Sequence, residues 1–383
     1  MSTTVGSVYV HAPFCARRCV YCDFAVTVSR EADVDGWVDA IRGEVSWLEG
    51  EGVFRLGDRL DTLYVGGGTP SLLGGDAMHR LADVVGSHRL DHARLEWTAE
   101  ANPESLSAET ARGWAAAGVN RISLGVQSFH EPALRWMGRL HGPTGALRAL
   151  AEAREAGIEN VSVDLIFGLP ESTGRSWEAD LERVLELDVP HVSLYGLGVE
   201  PETPLGRAVR EGRAPQVDED RYREEFLTAS EVLKGAGYDH YEVSNFARPG
   251  FESRHNAVYW EGAPYLGLGN GAHGFAPPLR RWNVRSWEDY RDRVARASSP
   301  IAEEERLDEE AHRLERVWLG LRTRSGLPAP KTGSPAQVLV SNWQAQGLCE
   351  RNGGRVRLTP RGWLLLDRLA VDLEQSEGVR FDL

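Results

Sequence analysis

Between residues 7 and 198, short apolar or β-branched runs alternate with amphipathic stretches, and this alternation restricts the chain to a parallel sheet covered by helices. The candidate strands are "SVYVHAP", "DTLYVGG", "RLEWTAE", "NRISLGVQ", "NVSVDLIFG" and "HVSLYGLG". Between them lie patterns such as "DVDGWVDAIRGEVSWLE", "TGALRALAEAREAG" and "SWEADLERVLEL", whose apolar residues recur three and four apart as on one face of a helix. Gly118 and Gly157 follow such stretches, where a left-handed helix cap is expected. A closed barrel of this kind has eight strand–helix units, so six predict an α/β fold with an incomplete, TIM-like (β/α)6 barrel.

Chemistry in these barrels sits at the C-terminal rim, where strands give way to loops. The first five candidate strands are each followed there by a polar motif: three cysteines, then "GGGTPS", "EANP", "GVQSF" and "DLIFGLP". Cys15, Cys19 and Cys22 have the spacing C-x3-C-x2-C. The N-terminus has neither a basic start nor a sustained apolar core, and no run approaches the roughly 18 apolar residues of a membrane span, so a cytoplasmic protein without a span is expected. In that reducing compartment a disulfide framework is disfavoured, and the only other thiol is Cys349. Structural zinc normally takes four closed ligands; three thiolates on one loop suit three irons of a four-iron cluster and leave the fourth open. Zinc and unliganded thiols remain the alternatives on spacing alone. Gly66, Gly67 and Gly68 let a ligand approach the backbone, although such a run also serves merely to turn strand into helix. It lacks the Gly-Lys-Ser/Thr ending of a P-loop.

Beyond residue 200 the pattern changes. A proline-rich connector, "PETPLGRAVREGRAP", precedes a helix at about 218–236, and "DHYEVSNFARPGFESRHNAVYW" reads as strand and loop. From residue 303 the run "EEERLDEEAHRLERVWLGLR" reads as a helix, followed by a helix ending at Gly347, a hairpin turned by "NGG" and a final helix from Thr359-Pro360. The order predicts a smaller C-terminal, winged-helix-like α+β domain. The expected division is a barrel core over 1–235, a strand-and-loop extension over 236–300 and the C-terminal domain over 301–383. Arg351, Arg355, Arg357, Arg361 and Arg368 sit in that last part. A net charge of −14 disfavours nucleic acid and anionic membranes as partners, so these arginines read as a solvated face.

Taken together, "VYVHAPFCARRCVYCDF", "YVGGGTPS", "EANPESL", "RISLGVQSF", "VDLIFGLP", "SLYGLGVEPETPL", "YEVSNFARPG", "HNAVYW" and "LGLRTRSGL" resemble the radical S-adenosylmethionine (SAM) family of oxygen-independent coproporphyrinogen III oxidase-like proteins, closest to its haem-chaperone branch, HemW. The resemblance covers nearly the whole chain. It implies a 4Fe-4S cluster on Cys15, Cys19 and Cys22, with SAM chelating the fourth iron. It further implies that Tyr9, Gly67, Glu100 and Gly198 surround that SAM, while Tyr21, Gly68, Thr69, Gln127, Arg139 and Asp164 match positions at or beside a second SAM in the oxidase. Arginine suits a carboxylate, and Glu100 and Asp164 suit ribose hydroxyls or an ammonium.

"HNAVYW", His255 to Trp260, is linked in the haem-chaperone branch to haem binding, which makes His255 the expected haem ligand. From chemistry alone a lone histidine is more often a hydrogen-bonded loop or core residue. His273 is a further candidate, His11 reads as structural and Cys349 as a small buried hydrophobe. Two departures separate this chain from the oxidase pattern: Phe24 stands where the oxidase has a further cysteine, and only 14 residues precede Cys15, where the oxidase has a longer arm. The first expectation is therefore a haem chaperone that binds haem and passes it to acceptor apo-haemoproteins. The second is a coproporphyrinogen III oxidase in porphyrin biosynthesis, and a haem-methylating or ring-opening radical enzyme is a third. A small electron donor such as flavodoxin or ferredoxin, and a homodimer, are family expectations.

Overall fold

A computed structural model describes residues 2–376. Six strands carry the architecture: β1 (Ser7–Ala12), β2 (Thr62–Gly67), β3 (Glu96–Ala101), β4 (Arg121–Gln127), β5 (Asn160–Phe167) and β6 (His191–Gly196). They pair in parallel in chain order. Both faces of such a sheet are covered, which is why β5 reads as an almost unbroken buried run, with Val161, Val163, Leu165 and Phe167 buried.

The helices between these strands follow from their caps and apolar stripes. Helix Val34–Glu51 begins where the Asp33 carboxylate accepts from the Gly36 amide and ends at Gly52 in a left-handed conformation. Its buried residues Trp37, Ile41, Glu44 and Leu48 recur at intervals of four, three and four, so one face packs on the sheet. Gly118 and Gly157 adopt the positive φ expected of them.

Residues 236–300 extend the same sheet on both edges. Strands β7 (Asp239–Glu242) and β8 (Asn245–Ala247) add antiparallel beside β6, and β9 (Leu266–Leu268) pairs in parallel with β1. The order is β7-β8-β6-β5-β4-β3-β2-β1-β9, an open sheet whose two edges do not meet. A second sheet follows from β10 (His273–Ala276), β11 (Leu279–Asn283) and β12 (Ile301–Arg306).

Two local expectations are corrected. The charged run from Glu303 does not begin a helix: Glu303, Glu304 and Glu305 lie in β12 opposite Trp282, Arg281 and Arg280, with Arg280 and Glu305 forming an ion pair at 3.5 Å. The helix starts at Glu309, after Asp308 caps it by accepting from the Ala311 amide. The second correction concerns "HNAVYW", which forms helix Arg254–Trp260 rather than loop, started by the Ser253 hydroxyl accepting from the Asn256 amide.

The C-terminal part has the expected order. Helix Glu309–Arg322 is followed by β13 (Leu327–Pro328), helix Pro335–Ala345, β14 (Cys349–Asn352) and β15 (Arg355–Leu358). Gly353 and Gly354 both take positive φ in the hairpin turn. The last helix is broken into Pro360–Trp363 and Leu366–Gln375, with Thr359 capping the first piece. Cys349 is buried, its thiol directed at the Val340 carbonyl. Among the described residues no helix is long and apolar enough to cross a membrane.

Candidate functional site

The loop after β1 carries Cys15, Cys19 and Cys22, all free thiols and partly exposed. Backbone bonds fix its course: Val20 donates to the Met137 carbonyl, Thr27 to Pro13 and Ser29 to Cys15. Side chains from other strands reach the sulfurs. Thr69 Oγ1 lies 3.4 Å from Cys15 Sγ, and Arg139 Nη1 lies 3.7 Å from Cys19 Sγ. Burial pushes the Cys15 thiol up to about 11 and raises Cys22, while Thr69 and the Phe24 amide respectively act in the opposite direction. Buried thiolates here need a bound cation to be stable, and metal ligation provides one. Among the described residues no three His, Cys, Asp or Glu side chains converge closely enough for one metal ion. Structural zinc takes four closed ligands, whereas three thiolates on one loop can hold three irons of a four-iron cluster.

The thiols face a cavity of about 330 Å3 that Tyr21, Gly67, Gly68, Thr69, Glu100, Gln127, Arg139, Asp164 and Gly198 also line. These expected residues come from six different strand ends, and the rim brings them together. Gly67 has φ of 105°, and a Cβ there would fall 2.2 Å from the His11 ring. At Gly68 a Cβ would lie 2.6 Å from the Ala12 carbonyl oxygen and 2.7 Å from that of Phe14. The glycine run is therefore required by close backbone approach. Gln127 takes φ of 70° at an irregularity in the β4–β5 register, which turns its side chain toward the cavity mouth.

Glu100 sits at the centre of this rim. Its Oε1 accepts from the Tyr64 hydroxyl at 2.8 Å and its Oε2 from the Gly67 amide at 2.9 Å. Burial lifts its carboxyl to about 7 against those two hydrogen bonds, with Asp164 adding repulsion. Asp164 is raised by burial too, opposed by the hydroxyls of Ser123, Ser193 and Ser162. Arg139 Nη2 donates to Asn102 Oδ1 at 2.7 Å and to the Gly125 carbonyl at 2.6 Å, so part of the fork expected to grip a carboxylate already fastens the rim. Asn102, which also donates to Thr69, was present in "EANPESL" but carries no signal apart from its place in that motif.

A second, larger cavity of about 630 Å3 adjoins the first: Phe24, Gly67 and Glu100 line both. Its walls are aromatic, with Tyr64, Tyr259, Trp260, Tyr265 and Phe275, and Arg280 and Arg285 add positive charge. Tyr9 lines this second cavity beside Gly67 and Glu100, which both cavities share. It sits mid-strand opposite Tyr64, and the two rings stack at 5.9 Å.

His255 lines the larger cavity but presents no free nitrogen. Nδ1 is 2.7 Å from the Thr62 hydroxyl, and Nε2 is 2.8 Å from the Tyr259 hydroxyl. The ring stacks on Tyr64 at 5.1 Å, and burial drives its pKa down to about 3. His11 is likewise buried, between the Tyr9 hydroxyl and the Ala25 carbonyl. Arg280, Arg285, Glu315 and Trp318 were not expected at any site, because they come from segments that carry no motif of their own, and Tyr64, although it opens "YVGGGTPS", was not singled out.

Residues 9–184 match the radical SAM superfamily, and residues 307–365 match the HemN C-terminal domain. The chain is similar to a protein of Mycobacterium tuberculosis (strain ATCC 25618 / H37Rv) named heme chaperone HemW, with 39% identity over 369 residues, 96% of this chain and 94% of that protein. A protein of the same name from Bacillus subtilis (strain 168) is 34% identical over 369 residues, 94% of this chain and 96% of the relative. Among solved structures, the radical SAM coproporphyrinogen III oxidase HemN from Escherichia coli superposes with a TM-score of 0.76 at 22% identity, covering 96% of this chain and 90% of that one. That likeness is one of fold.

Proposed function

The chain belongs to the HemW family, and from that premise we propose that it is a haem chaperone which carries haem in the larger cavity and hands it to acceptor apo-haemoproteins in the cytoplasm. The observation that carries the reading is the aromatic cavity of about 630 Å3 sharing Phe24, Gly67 and Glu100 with the cavity that holds the three thiols. A flat apolar macrocycle packs well between aromatic rings; Arg280 and Arg285 line the same cavity, Arg280 ion-paired with Glu305 and Glu315 and Arg285 with Asp23.

In the neighbouring cavity, Cys15, Cys19 and Cys22 would hold three irons of a 4Fe-4S cluster, with SAM on the fourth. When bound, that pair supplies single-electron chemistry, fed by a small donor such as flavodoxin or ferredoxin. Gly67 and Gly68 leave bare backbone for the methionine part of SAM, and Glu100 offers a carboxylate to its ammonium. Asp164 is positioned to accept from ribose hydroxyls, while Thr69 and Arg139 steady the sulfurs of Cys15 and Cys19. Phe24, largely exposed, stands at the boundary of the two cavities in the place where the oxidase pattern has a cysteine.

The test is an anaerobic comparison on cluster-reconstituted, full-length protein. Haem retention and transfer to an apo-haemoprotein are measured beside coproporphyrinogen turnover with SAM and a reductant. The expected result is retained, transferable haem and no decarboxylation. Turnover above about 0.01 per second, itself far below ordinary enzymes, would make the chain an oxidase instead.

A further inference from the structure

We infer that His191 is a positioning residue for Asp164: a hydrogen-bond relay runs from the backbone of Ser253 through Tyr241, His191 and Ser162 and ends on the Asp164 carboxylate, which it holds as an acceptor at the wall of the thiol cavity. Its effect on a ligand there rests on the reading of that cavity as the SAM site.

His191 opens β6, is fully buried, and lines neither the thiol cavity nor the aromatic one. The parallel register sets it opposite Ser162, as it sets Ser193 opposite Asp164. Alternate residues of a strand share a face, so all four side chains stand on the side from which Asp164 lines the thiol cavity. Four contacts make the chain continuous. The Ser253 amide donates to the Tyr241 hydroxyl oxygen at 3.2 Å, and that oxygen is 2.8 Å from His191 Nε2. His191 Nδ1 is 2.8 Å from Ser162 Oγ, which is 3.0 Å from Asp164 Oδ1.

The direction of the relay follows from where each proton can go. A backbone N–H can only donate, so Tyr241 accepts from Ser253 and keeps its own proton for another partner. Among the described residues that partner is His191 Nε2, and a buried O–H left without an acceptor is costly. Nε2 therefore accepts. The imidazole is neutral, because burial holds its affinity for a proton far below the ordinary value and the Arg121 charge acts in the same sense. A neutral ring with an accepting Nε2 carries its proton on Nδ1, which donates to Ser162. Ser162 then gives its own proton to Asp164 in preference to the neutral Ser193 hydroxyl 3.1 Å away. The Ser123 hydroxyl, 3.1 and 2.8 Å from the two carboxylate oxygens, donates to the same group. Burial raises the Asp164 carboxyl and these donors oppose it, so the relay favours an ionised acceptor for ribose hydroxyls. The opposite tautomer of His191 would turn the Ser162 proton toward the ring and take it from Asp164. Tyr241, on β7, is what forbids that tautomer.

The test uses full-length protein with its cluster reconstituted under anaerobic conditions, and reads both the ring nitrogens and SAM affinity. In protein labelled with nitrogen-15 histidine, long-range proton–nitrogen correlation spectra are expected to show His191, assigned by its loss in His191→Phe, as the Nδ1–H tautomer. The dissociation constant of SAM, measured by calorimetry, is expected to rise roughly 3- to 10-fold in His191→Phe and in Ser162→Ala, the worth of about one hydrogen bond, with bound iron and cluster absorbance unchanged. The double variant is expected to bind no more weakly than the weaker single, because both changes break one chain. Tyr241→Phe keeps the imidazole and serves if His191→Phe melts early; it is expected to populate the second tautomer and weaken SAM binding. The Nε2–H tautomer in the wild type overturns the inference, as do fold-changes that multiply in the double variant, or a wild-type tautomer and affinity in Tyr241→Phe. A wild type that shows the Nδ1–H tautomer yet binds no SAM supports the relay and overturns the SAM reading of the cavity.

Discussion

Glu100→Gln should change how stability depends on pH, by an amount fixed by the burial of one carboxyl. The Glu100 side chain is half-buried where the two cavities meet, and its carboxyl rises from an ordinary 4.5 to about 7, first through desolvation, against hydrogen bonds from Tyr64 and the Gly67 amide. Between those values the folded chain holds a proton that the unfolded chain has released. The contribution of Glu100 to stability is therefore complete below about pH 4.5 and is lost as pH rises through about 7. At about 1.4 kcal/mol per pH unit the whole loss is about 3 kcal/mol, of which roughly 1.4 kcal/mol falls between about pH 6 and pH 8. Glutamine keeps the size and one acceptor but does not titrate. Denaturant unfolding of wild type and variant, followed by tryptophan fluorescence at both pH values, gives the difference directly. Glu44, raised by burial in the same direction, is present in both proteins and cancels. The variant should gain on the wild type by roughly 1.4 kcal/mol between about pH 6 and pH 8. Parallel profiles, within about 0.5 kcal/mol, would show that Glu100 is not desolvated as the structure places it.

Four further outcomes are expected. SAM affinity, measured by calorimetry on reconstituted protein, should strengthen as pH rises through about 7, because Glu100 must ionise to meet an ammonium; a flat profile counts against that contact. Cys19→Ser should lower bound iron and bleach the cluster absorbance while the melting temperature of the apo-protein stays near the wild type, since this thiol is only partly buried. Gly68→Ala should destabilise by about 1–3 kcal/mol, because the Ala12 and Phe14 carbonyls that its Cβ would meet are backbone and cannot step aside; an unchanged denaturation midpoint contradicts the packing. Arg281→Ala should cost about 3–5 kcal/mol by leaving the largely buried Glu51 carboxylate without its counter-charge, held only by the Phe54 amide. The double replacement Glu51→Met with Arg281→Met should recover most of that loss.

Much of the barrel was readable from its pattern because parallel strands buried on both faces and helices with one apolar face are properties of local sequence. The six strands, the caps at Gly118 and Gly157, and the turn at Gly353 and Gly354 depend on periodicity and on backbone positions that favour glycine. The cysteine trio and the glycine run were equally visible, since each is contiguous. Errors arose where a partner distant in sequence decides the outcome. Glu303 to Arg306 is charged enough for a solvated helix, and only pairing with Leu279–Asn283 draws it into a strand. The "HNAVYW" stretch reads as loop, and only the Ser253 cap and the contacts of His255 with Thr62 and Glu96 set it as a helix on the sheet.

The sequence alone determined which chemistry the rim can host, because the spacing of Cys15, Cys19 and Cys22 and the bare backbone of Gly67 and Gly68 are set within a few residues of chain. Tertiary structure alone decided that two cavities meet at Glu100 and Phe24, and that both ring nitrogens of His255 are engaged. The hydrogen bonds that link His255 to Thr62 and Tyr259 span up to 193 residues, and a motif cannot reveal whether a side chain is already engaged. Availability of a lone pair is a property of the neighbours, and only folding brings those neighbours together.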